Sequence, residues 1–514
     1  MTKMMKLYLF GIFSLLFLLA CNQSVSTVTD TTATEADTTT IEAGTATITG
    51  SVTSPNNKSM DSIYVTITVP RPISGEYSQY KALVDESGKF SVDVDVETAV
   101  ALVGLRTSLN PYKSLYAKLT SGGVTNLDIA YNSDFDIEHV SVTPATMTEN
   151  DMIQGPEVMR KMFSHRPSRE PKPMYDKSTD YFLNHVKTAV SEKLEILNKD
   201  TLLSNELKEV LSKDFRLFMH VGHVFDYEDQ MNLNYRSITG DRSTKPELQK
   251  IDRSYYRFLK DFKLNDPQYL QGFTFSEFQK EILQNEILGL PEIGESDIPS
   301  WLASVKVILS DLVGFDSGPY YDVLAANAYA RQLNEEVRPL SEKQKEHIAA
   351  YWKNGEIAKI LFRKNQQVVA LDKFISPAVV IDISSVPADK VMETIVAKHQ
   401  NKVVFIDFWA TWCAPCLEAM NEFKSTKGEF HGKEVAFVYL TNGSSPRKRW
   451  EEKIKGIGSE HYYLTGAQWE HVMDQFEFEA VPSYLLYNKE GVLINKFTSF
   501  PGKDEVKGMI NGLL

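Results

Sequence analysis

The chemistry this chain could perform is concentrated in very few side chains. Its 514 residues include only three cysteines, Cys21, Cys413 and Cys416. Two of them lie three apart in the stretch FWATWCAPC, residues 408–416. Such a pair can be a redox dithiol, half of a metal site, or two buried and inert thiols. Zinc needs about four ligands, and no second cysteine pair exists to complete the set. Inert thiols fit poorly with a pair placed directly behind so aromatic a run. The other ligand-type pair is His220 and His223, in the run HVGH. On a helix they would share a face, but no cysteine lies near and no acidic partner pattern surrounds them. They read as helix-packing residues, and no metal is expected. No phosphate-cradling Gly-rich loop and no Gly-x-Ser-x-Gly elbow occurs.

The elements around the pair define what it could do. Residues 371–514 alternate strand-like and helix-like runs, among them AVVIDI, KVVFIDF, EVAFVYL, SYLLYN and GVLINKF. That alternation predicts an α/β domain with a mixed central sheet. Cys413 then follows a strand and a short loop, and Cys416 lies inside the helix that begins there. Free N–H groups and the positive end of the helix dipole stabilise a thiolate at that place. One helical turn is the right separation for Cys416 to close a disulfide with Cys413. Pro415 falls in the first turn, where its missing N–H costs little.

Upstream, residues 45–145 carry β-branched runs such as ATITGSV, SIYVTITV and KFSVDVDV, which predict an all-β, sandwich-like domain. Residues 85–88, DESG, predict a turn. Residues 146–370 read as a mainly α-helical domain, with a Pro-rich basic connector near 164–176. Thr274 with Glu277, and Ser341 with Gln344, have the spacing of capping boxes. The length predicts about three domains. The formal charge of −13 argues against nucleic acid or an anionic membrane surface as the main partner.

The first residues stand apart. Lys3 and Lys6 precede an apolar run from Leu7 to Leu19, the pattern of an export signal over residues 1–20. The run is too short to span a bilayer well as a permanent helix. Residues 21–44 are Ser/Thr-rich and read as a flexible leash, with a reach of roughly 25 Å.

Several of these stretches resemble known families. Leu18-Leu19-Ala20-Cys21 resembles the lipobox of bacterial lipoproteins, which implies cleavage before Cys21 and a lipid on that cysteine. Asn22 follows it instead of Asp, so the resemblance implies the outer membrane, with the protein facing the periplasm. VDESGKFSVDV resembles the Asp-x-x-Gly-x-Phe hairpin of carboxypeptidase regulatory-like domains. VVFIDFWATWCAPC resembles the active-site strand, loop and helix of the thioredoxin superfamily, and most of all its membrane-anchored TlpA/ResA-like group. The likeness covers residues 375–514, and the upstream architecture resembles large multidomain lipoproteins of this group in Bacteroidetes. A peroxiredoxin frame does not fit, since Ala410 stands where it would have Thr.

The thioredoxin resemblance implies roles at single positions. Cys413 would attack a substrate disulfide and Cys416 would resolve the mixed disulfide. Asp407, six before Cys413, would be the buried acid that takes the proton of Cys416. Val481-Pro482 would be the loop with a cis proline that faces the dithiol and pairs with a bound peptide. Trp412 would cover the dithiol as an apolar lid. The implied function is a thiol-disulfide oxidoreductase, in the reducing direction, acting on protein or peptide disulfides. It needs no cofactor beyond its own dithiol, and a membrane electron donor would re-reduce it. A competing reading is a binding or scaffold lipoprotein, in which about 330 upstream residues hold a partner and the redox pair is secondary.

Overall fold

A computed structural model describes residues 40–54, 63–166, 172–241, 244–372 and 376–514. The export signal, Cys21 and most of the leash lie outside the described residues. The described residues divide into two units. One comprises residues 40–330 and 341–363, the other 331–340 and 364–514.

The first unit begins with eight strands: β1 (Ile41–Thr53), β2 (Tyr64–Val69), β3 (Ser78–Leu83), β4 (Lys89–Thr98), β5 (Val100–Thr107), β6 (Leu115–Thr120), β7 (Val124–Tyr131) and β8 (Ile137–Thr143). They form two four-stranded sheets, ordered β4-β1-β7-β8 and β3-β2-β5-β6. The period-two alternation explains the arrangement. Thr125, Leu127, Ile129 and Tyr131 of β7 all point to one buried side. Both sheets bury such faces in one shared cluster, with Ile48 and Val94 from one and Ile67 and Val103 from the other. Gly50 is required there: a Cβ would lie 1.9 Å from the Leu127 carbonyl oxygen. The DESG turn joins β3 to β4. Asp85 accepts from the Ser87 and Lys89 N–H groups, and Gly88 takes φ +82°.

Helices follow: α1 (Glu149–Ser164), α2 (Thr179–Lys199), α3 (Asn205–His223), α4 (Tyr227–Thr239), α5 (Phe275–Gln284), α6 (Ile298–Val313), α7 (Pro319–Glu335), α8 (Glu342–Trp352) and α9 (Glu356–Asp372). The Ser341–Gln344 capping box forms, with reciprocal bonds of 3.1 and 2.9 Å. The Thr274–Glu277 box does not. The Thr274 side chain caps nothing, and its N–H donates to buried Asp214 of α3 at 2.7 Å. Glu277 instead pairs with Lys280. A carboxylate from another helix has taken the place of the local cap, which the local spacing does not encode. Among the described residues no helix is long and apolar enough to cross a membrane.

The second unit holds β9 (Ala378–Ile381), α10 (Val391–Ala397), β10 (Val403–Phe408), α11 (Ala414–Gly428), β11 (Val435–Asn442), α12 (Arg447–Ile457), β12 (Ser459–Leu464), α13 (Gly466–Gln475), β13 (Ser483–Tyr487), β14 (Leu493–Phe497) and α14 (Lys503–Asn511). The sheet order is β14-β13-β10-β11-β12-β9. β10, β11, β12 and β9 run parallel, while β13 and β14 are antiparallel additions. Every residue of β10 is buried, as a central strand covered on both faces must be. Its alternate residues feed two cores. Val404, Ile406 and Phe408 face one, and Val403 and Phe405 face the other, which also contains Cys413 and Cys416. The last hairpin turns at 488–491, with Gly491 at φ +76°.

Candidate active site

Strand β10 delivers the site. It ends at Phe408, and residues 409–413 lead into α11. Cys413 is the N-cap of that helix. Its sulfur accepts from the Cys416 N–H at 3.3 Å, using a donor that the first turn leaves free. Pro415 occupies the first turn, where it has no N–H to lose. Cys413 and Cys416 are joined in a disulfide, with Cα atoms 5.3 Å apart. Both are buried, at 2% and 0% exposure. On reduction, a thiolate at Cys413 would lie on the positive end of α11.

Trp412 is a surface residue, half-exposed at 50%. Its indole N–H donates to Ser444 at 3.2 Å. The loop after β11 holds the active-site loop in a second place. The Thr411 N–H donates to the Ser445 hydroxyl at 3.0 Å, which in turn pairs with Thr441 at 2.8 Å. The Val481–Pro482 peptide is cis. Val481 packs against the cluster that contains both cysteines.

Asp407 lies on β10 and is almost fully buried. It shares the parity of Phe405, so it points to the cysteine side of the sheet. One of its oxygens, Oδ1, has no hydrogen-bond partner. Burial pushes its carboxyl well above the ordinary carboxylate range, and the Lys427 charge opposes that rise. In the sheet, Tyr439 of β11 and Tyr484 of β13 lie directly opposite it on either side. His461 of β12 lies opposite Tyr439 and stacks on it at 5.0 Å. Four neighbouring strands thus place Tyr484, Asp407, Tyr439 and His461 in one buried row.

Lys427 of α11 covers this row. Its ammonium donates to Tyr439 Oη at 3.2 Å and to the Ile457 carbonyl at 2.6 Å. Burial draws its pKa down to about 7, with the Lys424 charge adding to the fall and Asp407 opposing it. The sequence reading missed Lys427, although a signal was present. Cys416, Ala419, Phe423, Lys427 and Phe430 follow one another at spacings of three and four, so the lysine stands on the buried stripe of its helix. Tyr439, Tyr484, Ser444 and Ser445 were also missed, and only strand and loop pairing brings them in.

The structure therefore places Cys413, Cys416 and Val481 on one core, with Asp407 on strand β10 turned to the same side, and Trp412 at the surface. Cys21 lies outside the described residues. His220 and His223 are elsewhere, on α3. His220 bonds its own Arg216 carbonyl at 2.8 Å and packs on Phe258 and Phe262, and His223 lies 3.4 Å from Gln230.

Comparison with known proteins bears on the same segment. Residues 401–493 match a thioredoxin-like family model. A thioredoxin from Coprinus comatus is 26% identical over 68 residues, covering 13% of this chain and 64% of that protein. The chain thus spans just under two thirds of that relative's length. Among solved structures, the exposed lipoprotein thioredoxin of Streptococcus pneumoniae is 18% identical, with TM-score 0.21, covering 23% of this chain and 90% of that one. The thioredoxin domain of a thiol-disulfide oxidoreductase from Bacteroides vulgatus is also 18% identical, with TM-score 0.21, covering 22% and 84%. The C-terminal region has a thioredoxin-like α/β fold, and the family match supports an oxidoreductase role for it.

Proposed function

We propose, taking the thioredoxin-like C-terminal domain as premise, that this protein is a thiol-disulfide oxidoreductase that reduces protein or peptide disulfides. One observation carries the reading: a Cys413–Cys416 disulfide at the N-terminus of α11, with the buried carboxyl of Asp407 on the strand that leads to it. The reduced enzyme starts with a Cys413 thiolate stabilised by the helix terminus. That thiolate attacks one sulfur of the substrate disulfide, and the other sulfur leaves as a thiolate. Cys416 then gives its proton to Asp407 in its ionised form and attacks Cys413. The mixed disulfide breaks, the second substrate sulfur leaves, and the Cys413–Cys416 disulfide remains. Two electrons have passed to the substrate. A membrane electron donor returns them. In this reading half-exposed Trp412, next to Cys413 in the chain, and the Val481-Pro482 loop contact the bound chain; the exposure of the one and the packing of Val481 on the cysteine-side core support it.

The proposed location is the cell envelope, anchored by lipid on Cys21 and facing the periplasm from the outer membrane. Support comes from the basic, apolar and Leu-Leu-Ala-Cys order of residues 1–21.

Trapping tests the reaction. Cys416→Ser is expected to accumulate mixed disulfides through Cys413, which Cys413→Ser abolishes, while the wild type turns over insulin disulfides with dithiothreitol. No turnover in the wild type and no adducts in the variant would refute the assignment.

A further inference from the structure

We propose that Lys427 is a positioning residue for the resolving step: it supplies the positive charge that lets buried Asp407 hold the negative form needed to accept the Cys416 proton. The inference rests on the oxidoreductase reading and deepens it.

The geometry singles out this amine. A carboxylate at Asp407 gains nothing from water, and its Oδ1 has no hydrogen-bond partner. Tyr439 of β11 and Tyr484 of β13 flank it, and burial raises both phenols, with the Asp407 charge adding to the rise. Both stay neutral. His461 of β12 stacks behind Tyr439, and burial holds its ring down to about 3, so it too is neutral. From α11 come the Cys416 thiol and Lys427, with Lys424 one turn before. Lys427 is the buried cation of the set, lowered to about 7 and so charged over the acid side of the profile. Its ammonium has two oxygen acceptors, and it lies over the Tyr439 ring at 4.8 Å and the Phe437 ring at 5.8 Å. Asp407 and Lys427 favour each other's charged form, which offsets part of what burial costs each.

In the resolving step the Cys416 proton passes to Asp407, the Cys416 sulfur bonds to Cys413, and the old Cys413–sulfur bond breaks with its electron pair on the leaving thiolate. Asp407 can take that proton only when ionised. Removing the Lys427 charge raises the carboxyl further and moves the acid limb of this step to higher pH.

The test uses the full chain carrying Cys21→Ser, with Cys413 and Cys416 reduced, mixed with one equivalent of dithiobis(nitrobenzoate) over a pH series. Attack by Cys413 releases the first thionitrobenzoate, and closure by Cys416 releases the second. Lys427→Gln keeps hydrogen-bond donors but no charge. It is expected to raise the acid-side midpoint of the second release by about one pH unit, slowing it on the order of tenfold below both midpoints. Lys427→Arg, which keeps the charge, is expected to keep the wild-type midpoint. Asp407→Asn is expected to abolish the midpoint, and adding Lys427→Gln to it should change nothing more. Should Lys427→Gln not fold, judged by circular dichroism, Lys427→Met carries the same expectation. A Lys427→Gln profile that overlays the wild type overturns the inference, as does a shift that persists in the Asp407→Asn background. If the wild type itself shows no Cys413-dependent first release, the oxidoreductase reading fails instead.

Discussion

At Asp407, stability and chemistry pull in opposite directions. Its carboxyl titrates above its unfolded value, so the folded state holds the proton more tightly. Stability is then lost as pH rises above the unfolded carboxyl value towards the folded one. Asp407→Asn is therefore expected to raise the melting temperature at neutral pH by roughly 2–4 °C, the shift for about 1 kcal/mol in domains of this size. It is also expected to slow closure of the Cys413–Cys416 disulfide. Thermal denaturation and thionitrobenzoate release read the two effects separately, and a variant that is both less stable and equally fast would contradict the assignment. The sequence pointed to Asp407 only through its distance from the cysteines and a family likeness. Why it is costly to ionise depends on its burial within the sheet, where Oδ1 finds no hydrogen-bond partner, and neither fact is local.

At the level of elements, the parallel part of the sheet is tied by polar contacts as well as by its cores. Glu460 on β12 accepts from Lys398 at 2.8 Å and from the Tyr462 hydroxyl, and pairs with His399 at 3.1 Å. The first two of these partners in sequence follow α10 directly, so the carboxylate links that helix to the strand. Burial alone would raise this carboxyl, but the bonds from His399, Lys398 and Tyr462 outweigh it and hold it down to about 2. A depressed value contributes stability above the unfolded pKa of about 4.5, and that stability is lost as pH falls towards 2. Glu460→Gln is expected to flatten the pH dependence of unfolding across this window and to lower stability at pH 7. Urea denaturation at pH 7 and pH 3 measures both. An unchanged difference between the two pH values would show that the link carries no weight. The alternation of strand and helix was readable in advance because each run is local and its period is distinct. The Thr274 cap was not, because Asp214 reaches it from another helix.

For the whole molecule, the proposed anchor and the dithiol lie at opposite ends of the sequence. Cys21→Ser is expected to remove lipid labelling and release the protein from the membrane fraction on sedimentation. Persistent sedimentation with membranes would reject a lipid anchor at that residue. The reducing pair should be unaffected, and the same thionitrobenzoate measurement checks that. Some of this protein was settled by sequence alone. A Cys-x-x-Cys pair at a strand-to-helix junction is a local pattern, so its seat at a helix N-terminus and a spacing that permits a disulfide follow from the sequence and the 3.6-residue period, while the disulfide itself is seen in the structure. The strand runs likewise state which residues share a face. They do not state which strands become neighbours, or in what register. Only the tertiary structure placed Tyr484, Asp407, Tyr439 and His461 in one row and turned Lys427 onto it. The physical reason is that pairing energies between strands far apart in the chain select that order, while the local pattern of each strand would be compatible with several others.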